Sequence, residues 1–170
     1  MAGLNIELSI STKNDLILRD LDLLKKMKNL TISFSINTTD ESFKNDMDKA
    51  SSLENRFNAL KILNDNGIST ACFISPIFPE ITDWQNIINK TKNSVKEYWF
   101  ENLNLRGDYK FAILNYIKEK YPQHIKLYDD IYNKNKTDYW NNLADEIENF
   151  CKTNKINYTN YFYHNQIKKK

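Results

Sequence analysis

Four clusters of polar side chains stand where apolar runs of the sequence end. They are Ser11, Thr12 and Lys13; Ser35, Asn37 and Thr38; Ser75 with Pro76; and Asn102, Asn104 and Arg106. A cation, hydroxyls and carboxamides brought onto one rim can hold a small zwitterion. Lys supplies a point charge for a carboxylate, and Ser or Asn supply directional hydrogen bonds. The same residue types also occur at strand ends for purely structural reasons, so spacing alone leaves both readings open.

The elements that must bring these clusters together are legible in the apolar pattern. Runs rich in β-branched and aromatic residues over 4–10, 30–37, 68–76 and 95–105 read as strands. Between them, 15–28 places Leu16, Leu23, Leu24 and Met27 on one helical face. The segment 53–66 carries Phe57, Leu60, Ile62 and Leu63 and stops at Gly67, and 83–92 follows Thr82 as its expected N-cap. Further helices are expected over 108–120, 126–133 and 138–152, and the aromatic stretch 158–163 reads as an edge strand before a basic tail. The connection 38–52 is too long for a tight turn; its acidic residues Asp40, Glu41, Asp46 and Asp48 suit an exposed loop or a mobile lid.

Strands alternating with helices force parallel pairing and right-handed crossovers, so the fold class is α/β. In such sheets ligands sit over the carboxyl ends of the strands, where the four polar clusters fall.

Composition narrows the function. With 170 residues, 41% of them hydrophobic, the chain can build one sizeable core. Three glycines and no Gly-rich loop disfavour Rossmann and P-loop nucleotide sites. A net charge of +2 implies no polyanionic partner. Cys72 and Cys151 are the only cysteines, far apart, and read as inert thiols suited to a reducing cytoplasm. No apolar run approaches a membrane span. Tyr158, Tyr161, Phe162, Tyr163 and His164 beside Lys168, Lys169 and Lys170 could in principle stack on single-stranded nucleic acid. An aromatic strand followed by a solvated lysine tail is the plainer reading, and nucleic acid is not an expected partner. His124 and His164 have no partners at metal-ligand spacing, and Trp84, Trp99 and Trp140 are expected to anchor core or helix contacts.

Residues 7–13 (ELSISTK), 18–24 (LRDLDLL), 35–38 (SINT), 54–60 with Arg56, Gly67-Ile68 and 75–79 (SPIFP) follow one another in an order that resembles radical S-adenosylmethionine (SAM) enzymes of the spore photoproduct lyase-like group. The likeness covers roughly 5–122. It implies a partial (β/α) barrel: the last four parallel strands of a six-stranded radical SAM half-barrel, followed by C-terminal helices. The implied organisation is 1–122 as the C-terminal portion of the partial barrel, 123–163 as a helical extension packed on it, and 164–170 as a disordered basic tail. Lys13 matches the family lysine that meets the SAM carboxylate, and Ser35 matches a serine that contacts its polar part. Asn37, Arg56 and Ser75 fall at less diagnostic places on the SAM or substrate face. Glu80 after Pro79, and Thr82 before Asp83, depart from the Gly and Asn-Asp pair usual there.

The family's CxxxCxxC is absent from this sequence. Three thiolates hold three irons of a [4Fe-4S] cluster and leave the fourth for SAM, so this chain is expected to bind no cluster and to be inactive by itself. Two readings follow. One is the C-terminal part of an enzyme that in full-length form uses [4Fe-4S] and SAM for radical chemistry. The other is a non-catalytic half-barrel serving as a binding or assembly module, with self-association through an exposed sheet edge. A cytoplasmic location is expected in both.

Overall fold

The first two strands of this protein alternate between a large apolar side chain and a small or polar one, and the apolar set decides which face of the sheet the helices cover. The computed structural model describes residues 6–162. Its one sheet has five parallel strands in sequence order: β1 (Leu8–Thr12), β2 (Leu30–Ser35), β3 (Ser69–Ile77), β4 (Glu97–Asn102) and β5 (Tyr158–Asn160). The C-terminal aromatic segment, expected as an edge strand, forms β5 and pairs with β4 in parallel, Tyr98 opposite Tyr158. This is an α/β fold of the partial-barrel kind.

On one face Leu30, Ile32, Phe34, Cys72, Ile74, Tyr98 and Phe100 form the hydrophobic core with α3 (Leu53–Asp65), α4 (Trp84–Thr91), α5 (Tyr109–Lys120), α6 (Ile125–Tyr132) and α7 (Asp138–Asn154). The helices contribute Leu60, Leu63, Ile87, Ile117, Ile131, Leu143 and Ile147, each burying about 1.5–3 kcal/mol of apolar side chain. Helix α3 ends as Gly67 turns the chain at φ +77°, a conformation that costs glycine little.

Three expectations change. Segment 15–28 is not one amphipathic helix but a 3-10 turn, Asp15–Asp20, and the short α1 (Leu21–Leu24). Leu16 and Leu23 are exposed, so the apolar face inferred there does not form. Segment 38–52 is neither a bare loop nor an open lid. It contains α2 (Glu41–Met47), N-capped by the Asp40 carboxylate on the Ser42 and Phe43 N–H groups, with Phe43 buried against Phe78. The cap of α4 is Asp83, not Thr82; the Thr82 hydroxyl instead accepts from Phe78 N–H and donates to the Asn37 carbonyl, fastening β2 to the turn after β3. The expected basic tail 164–170 lies outside the described residues.

Candidate SAM-binding edge and open sheet face

The second face of the sheet carries Ser9, Ser11, Thr31, Ser33, Ser35, Phe73, Ser75, Glu97, Trp99 and Glu101, none of them in the hydrophobic core cluster, together with Ala71; Ser33, Ala71 and Ser75 are buried. Parallel sheets are ordinarily covered on both faces, so an uncovered polar face marks a place for ligand or further chain. Ser11 and Ser33 share a hydrogen bond of 2.7 Å across β1 and β2, and two positions further on the strands deliver Lys13 and Ser35 to the carboxyl edge.

Lys13 is 39% exposed and lies 3.6 Å from an Asp48 oxygen. Asp48, just beyond α2, is also met by Lys44 at 3.8 Å and by the Arg56 guanidinium at 2.6 Å. Arg56 is 1% exposed. Besides Asp48 it donates to the Ser51 carbonyl at 2.9 Å and to the Ser35 carbonyl at 3.1 Å. One buried side chain on α3 therefore ties together the strand end that carries Ser35 and, through Asp48, the strand end that carries Lys13. Burial alone would push the Asp48 carboxyl up, but the Arg56 hydrogen bond and charge, the Ala50 N–H and Lys13 outweigh it, and Asp48 titrates below the ordinary carboxylate range.

Lys44 is buried, donates to the Ala50 carbonyl at 2.5 Å, and lies 3.9 Å from Glu41. Within this group three cations, Lys13, Lys44 and Arg56, face two carboxylates, Asp48 and Glu41. Of the three, Lys13 is the most loosely held, since its contact with Asp48 is 3.6 Å long and its side chain is the most exposed. Such a lysine can exchange its partner for a ligand carboxylate.

Sequence reasoning had Asp48 as one of four surface carboxylates. Only the path of α2 carries it under β1. Asn37 is buried, and its carbonyl receives the Thr82 hydroxyl at 2.8 Å. Ser75, on β3, donates its hydroxyl to Glu101 of β4 and precedes a cis bond to Pro76. The structure thus joins Lys13, Ser35 and Arg56 in one network and sets Ser75 apart, on β3, two strands from β1.

The model of the radical SAM superfamily matches residues 2–90, just over half of the chain. The chain belongs to the radical SAM superfamily. This radical SAM chain is 40% identical over 151 residues to the uncharacterized protein MJ0683 of Methanocaldococcus jannaschii, a match spanning 88% of this chain and 55% of that protein. It thus covers little more than half of the curated relative. Among solved structures, Streptococcus suis SuiB bound to S-adenosylmethionine superposes with a TM-score of 0.61 at 16% identity, over 96% of this chain and 33% of that one. A second SuiB structure gives 0.56 at 14% identity, over 97% and 37%. These likenesses show the fold.

The family implies SAM and a [4Fe-4S] cluster in full-length members. The residues present do not fit the cluster. Cys72 on β3 and Cys151 on α7 are both fully buried in the core, and burial pushes their thiols up, to about 12 and about 11, away from the thiolate that iron requires. Among the described residues no group of three or more His, Cys, Asp or Glu could hold a metal ion. A carboxylate such as that of SAM does fit the chemistry of Lys13, a partly exposed cation at the strand edge. Among the described residues no helix is long and apolar enough to cross a membrane.

Proposed function

We propose that this chain is the SAM-positioning, C-terminal part of a radical SAM enzyme of the spore photoproduct lyase-like group, inactive by itself because it holds no cluster. The observation that carries the reading is the partly exposed Lys13 at the carboxyl edge of β1, held by a 3.6 Å contact to an Asp48 that Arg56 already engages at 2.6 Å. In this reading Lys13 takes the SAM carboxylate, Ser35 contacts an adjoining polar group, and Arg56 with Asp48 sets the spacing between the two without touching the ligand. Asn37 and Ser75 line the rim further along the sheet. When bound in the full-length protein, the cluster and SAM together supply the radical chemistry. Residues 1–122 then correspond to the C-terminal portion of the partial barrel and 123–163 to an extension whose last strand completes the sheet.

Calorimetric titration tests this directly. SAM is expected to bind, and Lys13→Met to weaken it by about 10-fold or more, the scale of one charge-assisted hydrogen bond. Equal affinities for SAM and for methylthioadenosine, which has no carboxylate, would remove the basis of the assignment. Joining the upstream region that a full-length relative carries and reconstituting with iron and sulfide is expected to give the cluster's absorbance; failure there would favour the second reading, a non-catalytic assembly module. That alternative draws on the two outer strands, β1 and β5, each paired on one side only within the described sheet.

A further inference from the structure

Burial alternates along β4, and Asn102, read from the sequence as part of the polar rim, falls on the helix-covered face with Tyr98 and Phe100. It is 4% exposed, and its Oδ1 has no hydrogen-bond partner among the described residues. A buried acceptor without a donor is costly, so such an atom calls for an occupant that supplies one. Asn102 lines a cavity of about 320 Å³ that lies over the carboxyl end of β4, between the end of α6 and the start of α7. Leu103, Ile131 and Trp140 give the cavity apolar walls. The Tyr132 hydroxyl, donating to the Leu103 carbonyl at 2.9 Å, fixes one side of it. Thr137, the N-cap of α7, lines the cavity as well, and its side chain makes no capping hydrogen bond. The first turn of this 17-residue helix therefore presents N–H groups that neither the helix nor its cap side chain satisfies.

We propose that this cavity binds a small neutral amide with an apolar body, its N–H donated to Asn102 Oδ1 and its carbonyl turned to the N-terminus of α7. The unpaired oxygen demands a donor, the helix end favours an acceptor, and an amide carries both on neighbouring atoms. Charge is disfavoured in either sign. Among the described residues no charged side chain lines the cavity, so an ion would be desolvated without a counter-charge. The positive end of α7 opposes a cation, and Asp138 in its first turn opposes an anion. Small-molecule sites begin at roughly 300 Å³, so this one suits a ligand of a single ring or a short apolar chain. It lies on the other face of the sheet from Ser35 and three strands from β1, so it is separate from the SAM reading and does not depend on it.

The test is titration of the chain with benzamide, read by the indole N–H resonance of Trp140, with Trp99 on the opposite face as internal reference. Saturable movement of Trp140 alone is expected. Methyl benzoate keeps the ring and the carbonyl but has no N–H, and is expected to bind about 10-fold more weakly; benzoate, an anion, is expected to cause no shift. This ligand series uses the unsubstituted chain and so does not depend on the folding of a variant. Asn102→Leu keeps the approximate shape and removes the acceptor; with unchanged circular dichroism it is expected to weaken benzamide about 10-fold and to leave methyl benzoate as it was. Absence of a saturable shift would overturn the proposal and leave the cavity to water. Equal affinities for benzamide and methyl benzoate, or undiminished benzamide binding in a folded Asn102→Leu, would overturn it too. So would displacement of benzamide by SAM, because the cavity would then belong to the cofactor site. Benzamide binding by a chain that takes up no SAM would count against the cofactor reading and leave the amide site standing.

Discussion

At the scale of single residues, the buried pair of Arg56 and Asp48 holds the ends of β1 and β2 together. Arg56 at 1% exposure cannot be stripped of Asp48 without leaving a buried charge, so Asp48→Asn is expected to destabilise the chain by about 3 kcal/mol at neutral pH, measured by urea unfolding. Because the carboxyl of Asp48 titrates below its unfolded value, its contribution is complete above about pH 4 and fades as pH falls through the lower folded value. The acid limb of the stability profile should therefore be shallower in Asp48→Asn than in the parent. A parallel loss at every pH would show that Asp48 acts through packing alone. Lys13, Ser35 and Arg56 could be picked from the sequence by family order. Asp48 could not, since nothing in a polar connection says which carboxylate turns inward.

At the scale of elements, α2 is the feature that periodicity missed. Seven residues with one deeply buried aromatic, Phe43, give too short a pattern to read, although Asp40 before Glu41-Ser42-Phe43 is a capping arrangement. Removing that cap in Asp40→Ala is expected to cost about 1 kcal/mol locally and to speed hydrogen exchange of the α2 amides about fivefold. SAM affinity should fall with it if α2 is what keeps Asp48 under Lys13. Unchanged exchange would mean that Phe43 packing, not the cap, holds the helix. The converse error occurred at 15–28, where apolar spacing fitted a helix but the chain turned into 3-10 geometry and left Leu16 and Leu23 in solvent.

For the whole molecule, the decisive feature is a sheet clothed on one face and open on the other. Strands β1 and β5 each leave one side unpaired among the described residues, and the face between them is polar and aromatic. Such surfaces associate. Sedimentation velocity is expected to show concentration-dependent self-association. A strictly monomeric chain at high concentration would count against both the open edge and the assembly-module alternative.

The sequence by itself determined the α/β class, the parallel order of the first four strands and the polar strand ends, because period-2 and period-3.6 patterns and helix stops are local signals carried by neighbouring residues. It also determined, by cysteine count alone, that this chain cannot supply three thiolates. Tertiary structure decided the rest. The pairing of β5 with β4, the burial of Asp48 beside Arg56, and the emergence of Trp99 on the face opposite the core all join residues far apart in the chain. Local propensity carries no information on such meetings. They follow from which face of the sheet the helices must cover to bury Ile32, Phe34, Ile74 and Phe100, which turns the alternate residues to the other face.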